Sequence, residues 1–292
     1  MSFQTHNDRT IFSRLIPPGG FRLLALDLDG TVLTNDKRVT PRTAAALRRA
    51  VAAGLIPVLV TGRPLAGLPE ALTELPGLRY AITSNGAVTT DRLSGEKLRL
   101  TGLDSASAAA IVSLPIRRGL IHGVFVDGVG YCEPDFYTLE WDFFKDTPLA
   151  DYVRKSRRPT EDLAALIAGA DGRIENIWLI AHDQTERDEL DGIIRRNWTV
   201  RTVLTAARDV EVGSPEADKG LALQELAHRL GIEKRQILAI GDNENDLGML
   251  REAGCAVAMG NATPAVLREA DYITDTNEND GAAMVIEALL PG

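Results

Sequence analysis

Cysteine is nearly missing from this 292-residue chain: Cys132 and Cys255 stand alone, far apart and without metal-ligand spacing. Two such thiols read as small buried hydrophobes, and so few fit a reducing cytoplasm better than an oxidising compartment. Positive charge is in deficit as well. The net charge of -9 and the pI of about 5.1 argue against a nucleic-acid partner, whose surface is usually a basic patch. They leave a phosphate substrate open, because a bound divalent cation inverts the local field. No apolar run approaches the ~20 residues of a membrane span, so no membrane partner is expected. Met1 to Thr10 is polar and lacks the apolar centre of a signal peptide. Internal repeats and low-complexity tracts are missing too. What remains is 45% hydrophobic and 25% charged, the ordinary mix of a soluble globular protein long enough for one large or two moderate domains.

The stretch Leu23 to Leu33 organises the rest. Leu23-Leu24-Ala25-Leu26 reads as a buried strand, and Asp27-Leu28-Asp29-Gly30-Thr31 follows it. Side chains two apart on a strand share a face, so the two carboxylates project together at its carboxyl end, where open α/β sheets place ligands. Adjacent anions need a proton or a cation between them.

Thr40-Pro41 is an N-cap followed by proline at the first helical position, and apolar residues at helical spacing lead to Gly54. Ile56 to Val60 is a second strand, running into Thr61-Gly62-Arg63-Pro64. This strand–helix–strand unit predicts parallel strands. Leu65 to Leu75 reads as a helix. Tyr80 to Thr83 is a third strand, ending at Ser84-Asn85-Gly86. A hairpin is signalled over 88–100, and a helix over 103–119 that Pro115 should interrupt or end. Strands at 121–126, 174–181, 199–204 and 209–212 mix with helices and carry no carboxylate cluster. The α/β alternation then resumes. Asp218 to Leu230 is a helix with Lys219 in its first turn. Gln236 to Ile240 is a strand ending in Gly241-Asp242-Asn243-Glu244-Asn245-Asp246. The expected organisation is α/β: a flexible leader over 1–20, then a doubly wound, Rossmann-like parallel-sheet core over 21–86 and 214–292. A second α/β domain is inserted over 87–213.

Four chemistry-bearing places follow in order: Asp27 with Asp29, Thr61, Lys219, and Asp242 with Asn245 and Asp246. In that order the chain resembles the haloacid dehalogenase-like hydrolases, over about residues 22–289. Val257-Ala258-Met259-Gly260-Asn261-Ala262, Ala270 to Thr274 and Asn279-Asp280-Gly281 are similar to the Cof-like, type IIB cap phosphatase branch. Glu216-Ala217-Asp218-Lys219-Gly220 departs from it, since the branch more often has Gly-Val-Ser-Lys-Gly. The resemblance implies a Mg²⁺-dependent phosphatase acting on small phosphorylated metabolites, with sugar phosphates favoured and phosphorylated cofactors open. Asp27 would attack phosphorus to give an aspartyl phosphate. Asp29 would serve as acid, then base. Asp27, the backbone carbonyl of Asp29 and Asp242 would hold Mg²⁺. Thr61, Gly62 and Lys219 would hold the phosphoryl group. Asn245 would join them and, with Asp246, orient Lys219 and the metal shell.

The bland readings are set beside these. Neither aspartate stretch has the glycine spacing of an EF-hand. Arg63 serves at least as well in a structural ion pair as on phosphate, and Asn85-Gly86 reads as a turn before it reads as a substrate contact. His6, His122, His182 and His228 are scattered and not required. Tyr131 to Phe144 holds six of the chain's 15 aromatic residues, suited to a cap interior, a dimer contact or a substrate-selecting surface. A phosphotransferase or phosphomutase shares the same covalent step. A phosphorylation-switch domain also combines aspartates, threonine and lysine. The chain is silent on oligomeric state.

Overall fold

The computed structural model describes residues 14–290. The chain order is β1 (Leu23–Leu26), α1 (Pro41–Ala52), β2 (Ile56–Val60), α2 (Glu70–Thr73), β3 (Tyr80–Thr83), β4 (Val88–Asp91) and β5 (Glu96–Leu100). There follow α3 (Ser105–Arg118), β6 (Ile121–Val126), β7 (Val129–Cys132), α4 (Pro134–Phe144), α5 (Ala150–Ser156), β8 (Arg157–Pro159) and α6 (Leu163–Gly169). Next are β9 (Ile174–Ile180), α7 (Gln184–Asn197), β10 (Arg201–Val203), β11 (Asp209–Gly213), α8 (Lys219–Arg229) and β12 (Ile237–Gly241). The last are α9 (Leu247–Arg251), β13 (Cys255–Ala258), α10 (Pro264–Glu269), β14 (Tyr272–Ile273) and α11 (Gly281–Leu289).

One sheet has the order β14-β13-β12-β1-β2-β3-β4-β5. From β14 to β3 every pairing is parallel, while β4 and β5 add antiparallel. Leu23 to Leu26 are fully buried on both faces, as the central strand of a helix-covered parallel sheet must be. From β1 the chain builds outward to β2 on one side, and later returns to build β12 and β13 on the other. That reversal opens a crevice at the carboxyl ends of β1, β2 and β12.

The second sheet has the order β10-β11-β9-β6-β7-β8, antiparallel except between β7 and β8. It has its own hydrophobic cluster, from Leu103 to Val212, with α3, α6 and α7 packed on one face. Helix α3 runs through Pro115 to Arg118. The ring forfeits only the hydrogen bond to the carbonyl four residues back, and the helix ends one turn later.

Two expected placements change. The hairpin β4–β5, assigned by sequence to the inserted segment, is hydrogen-bonded to β3 and extends the first sheet. The helix expected over 65–75 is instead a 3-10 turn at Leu65–Gly67 and one turn of α2, broken by Pro69. The leader expected at 1–20 lies outside the described residues as far as residue 13. Beyond it, Leu15 and Ile16 pack against the core of the first sheet.

Candidate active site

Each candidate side chain follows a strand end or opens a helix. Asp27 follows β1, Thr61 follows β2, Asp242 follows β12, and Lys219 is the first residue of α8. The crevice forms a cavity of about 410 Å³ that Asp27, Asp29, Thr61, Gly62, Asp242 and Asn245 all line. A larger cavity of about 570 Å³, between β5 and α8, contains none of these residues. Chemistry, not size, picks out the first.

Lys219 is buried, and its Nζ donates to Oδ1 of Asp27 at 2.7 Å and to Oδ1 of Asp246 at 2.6 Å. Burial works against the ammonium, but the Asp246 and Asp27 carboxylates outweigh it and raise its pKa. Oδ2 of Asp246 accepts the backbone N–H groups of Asp242 and Asn243, each at 3.0 Å. Asp246 is therefore fully occupied in tying the β12 loop to the lysine.

Asp27, Asp242 and Asp246 bring oxygens within 4.8 Å of one another. One ammonium serves three anions. Burial, then repulsion from Asp246, raises the pKa of Asp27 well above the usual range. The same two effects push Asp242 to about 7. With Asp246 occupied, Asp27 and Asp242 are the carboxylates able to take a cation. Two hard, under-neutralised oxygen donors suit Mg²⁺, which uses few protein ligands and keeps its waters. Gly30 makes this approach possible: its φ is +87°, and a Cβ there would lie 2.3 Å from Oδ2 of Asp242.

Asp29 is held differently. Arg63 grips it with both fork nitrogens, Nε to Oδ2 at 2.6 Å and Nη2 to Oδ1 at 2.7 Å. Lys37 Nζ adds a contact to Oδ1 at 2.9 Å. Burial would raise the Asp29 pKa, yet hydrogen bonding and charge from Arg63, joined by Lys37, bring it to about 2. Arg63 is thus an ion-pair residue inside the site. Its guanidinium also lies over the Tyr152 ring of α5, 4.7 Å from the centroid.

Asn85 sits at φ +55° after β3 and is buried. Its Oδ1 accepts from Asn245 Nδ2 at 3.0 Å, and its Nδ2 donates to Oε2 of Glu211 at 2.5 Å. It therefore joins the β12 loop to the second sheet, more than a plain turn would. The unusual Asp218 is the N-cap of α8, accepting from the N–H groups of Gly220 at 2.7 Å and Leu221 at 3.0 Å. Aspartate and serine are both good N-caps, so this departure keeps the capping chemistry.

Sequence reading missed several groups. Asn261 donates to the Gly30 carbonyl at 2.9 Å and lines the cavity, and Lys37 lines it too. From the second sheet side come Leu149, Tyr152, Thr205, Asp209 and Glu211. The last two had a signal: Asp209-Val210-Glu211-Val212 alternates polar and apolar, placing both acids on one face. The aromatic segment does not line the cavity. Phe136 and Tyr137 pack against Phe125, Cys132 and Trp178, while Phe143 is exposed. None of the described histidines lines the cavity, and His6 lies outside the described residues.

The model of the haloacid dehalogenase-like hydrolases matches residues 24–286. The chain belongs to that family. It is 32% identical over 281 residues to the putative phosphatase YxeH of Bacillus subtilis, covering 92% of this chain and 98% of that one. The 5-amino-6-(5-phospho-D-ribitylamino)uracil phosphatase YcsE of the same organism is 28% identical over 273 residues, covering 91% and 94%. A solved haloacid dehalogenase-like hydrolase from B. subtilis superimposes with a TM-score of 0.79 at 27% identity, covering 92% and 100%. As in these relatives, the enzyme is a phosphatase by family. No described helix is long and apolar enough to cross a membrane.

Proposed function

We propose that this haloacid dehalogenase-like hydrolase removes phosphate from small phosphorylated metabolites, Mg²⁺-dependently and through an aspartyl phosphate on Asp27, in the reducing cytoplasm. The observation that carries this is the Lys219 contact: one oxygen of Asp27 is fixed by the buried ammonium, which aims the carboxylate into the cavity. Asp27 and Asp242 would hold Mg²⁺, with the carbonyl of Asp29, and the cation supplies positive charge to the transferring phosphoryl oxygens. Thr61 and the N–H of Gly62 donate to the same oxygens, Asn245 binds beside them, and Lys219 offsets charge that develops in transfer. Asp29 gives a proton to the leaving oxygen and later takes one from water. To hold that proton it must loosen the Arg63 and Lys37 contacts. The six-stranded sheet serves as the cap over the leaving group.

The test is release of inorganic phosphate from a panel of phosphorylated metabolites, without an added acceptor. Activity should vanish with chelator and return with Mg²⁺, and Asp27→Asn should be inactive on every substrate. Turnover by Asp27→Asn, or full turnover in metal-free buffer, contradicts the reading.

A further inference from the structure

Strand β11 alternates, so Val210 and Val212 enter the hydrophobic cluster of the second sheet while Asp209 and Glu211 face the cavity. Glu211 is fixed there. Its Oε2 accepts from Asn85 at 2.5 Å and from Asn176 Nδ2 at 3.0 Å. Among the described residues, Oε1 of Glu211 and both side-chain oxygens of Asp209 have no hydrogen-bond donor. Thr205 adds a hydroxyl to the same wall, and no lysine or arginine of the second sheet lines the cavity. The two cations that do line it, Lys37 and Arg63, are paired with Asp29. Burial raises the pKa of both acids, and for Asp209 the charges of Arg208 and Arg187 only partly offset it. These oxygens face the cavity with no protein donor on them, so a group bound there can donate to them in place of solvent.

We infer that Asp209 and Glu211 select the leaving group: a polyol or amino-polyol that donates hydrogen bonds to them and carries no second acidic group. This rests on the phosphatase reading and goes beyond it, because it names the two residues that discriminate among leaving groups by charge. Hydroxyl and ammonium donors fill the open acceptors. A carboxylate or second phosphate placed there meets two acidic groups and brings them no donor.

The test uses two matched pairs that differ only far from the phosphate: glucitol 6-phosphate with 6-phosphogluconate, and glucose 6-phosphate with glucosamine 6-phosphate, at pH 8 with Mg²⁺. p-Nitrophenyl phosphate reports the chemistry alone in the unaltered enzyme. Relative to glucitol 6-phosphate, kcat/KM for 6-phosphogluconate should be lower by about 10-fold or more, from the cost of like-charge contact. The difference should lie mainly in KM. In Glu211→Gln and Asp209→Asn that ratio should shrink towards one. Asp209 makes no side-chain hydrogen bond, so Asp209→Asn keeps the test informative should Glu211→Gln fold poorly. Equal or better turnover of 6-phosphogluconate by the unaltered enzyme, or an unchanged ratio in a folded variant, overturns the inference while the phosphatase reading stands. No hydrolysis of p-nitrophenyl phosphate or any sugar phosphate overturns both.

Discussion

At the scale of single residues, the two aspartates of Asp27-Leu28-Asp29 are neighbours in sequence and opposites in environment. Burial and adjacent acids raise the pKa of Asp27, while Arg63 and Lys37 hold Asp29 at about 2. The separation suits an attacker that a cation must keep ionised and a proton carrier that a substrate must release from its ion pair. It also makes the roles testable one at a time. Under the proposed roles, Asp29→Asn removes the proton carrier and leaves Asp27. A nitrophenolate leaves without a proton, so the first step continues, but hydrolysis of the acyl phosphate loses its base and should slow by ~10²–10⁴-fold. A burst of nitrophenol near one equivalent should follow, and mass measurement of the quenched enzyme should find one phosphoryl group on Asp27. Phosphate on another residue, or steady turnover without a burst, contradicts the assignment. This pair was legible in sequence because the spacing alone sets a shared face. The grip of Arg63 was not, since it joins residues 34 apart whose geometry depends on how β1 and β2 lie side by side.

At the scale of elements, the sequence showed best where local chemistry decides. The strands ending in Asp27, Thr61 and Asp242 are apolar runs closed by polar residues, and each lies at the crevice. The hairpin β4–β5 shows the limit. Its turn signal is local, but the edge it joins depends on pairing with β3, which period-two alternation does not encode. Helix α8 shows the opposite case, where an unfamiliar residue keeps a familiar task. Asp218 caps the helix whose first residue is Lys219, and it also pairs with Arg201 from β10. Asp218→Ala should cost about 1 kcal/mol of stability for the lost cap and lower kcat by letting the first turn fray around Lys219. Asp218→Ser should restore the cap, and with it most of kcat, although the Arg201 pair is lost. Thermal melts and steady-state rates on both variants check this. A serine variant no better than alanine would assign the role to the Arg201 pair instead.

At the scale of the whole molecule, the two sheets meet through buried polar groups beside the cavity. Ser84 donates to Glu175 at 2.9 Å and Asn85 to Glu211, so the contact between layers lies beside the cavity. Such an interface stores charge that folding must bury, and stability should depend on pH accordingly. Burial lifts Glu211 from an ordinary 4.5 to about 7. A carboxyl with a raised folded-state pKa stabilises fully below its unfolded value, and that contribution is lost as pH rises through the folded value. The window for Glu211 is therefore roughly pH 4.5 to 7 and just above, with a loss on the order of 3 kcal/mol at 1.36 kcal/mol per unit. Asp242, pushed to about 7, acts in the same direction in metal-free protein, whereas a bound cation would favour its ionised form. Asp29, held at about 2, acts oppositely, and only far below this window. Melting temperature in chelator should thus fall steadily from pH 5.5 to 8.5. Mg²⁺ should recover part of the loss at the alkaline end, the part that belongs to Asp27 and Asp242, both raised by burial and by repulsion from Asp246. Glu211→Gln cannot ionise, so its curve should be flatter than that of the unaltered protein, and the two should diverge most above pH 7. Parallel curves for the two proteins would show that Glu211 does not titrate in this range, and that the contact between the sheets carries no such charge.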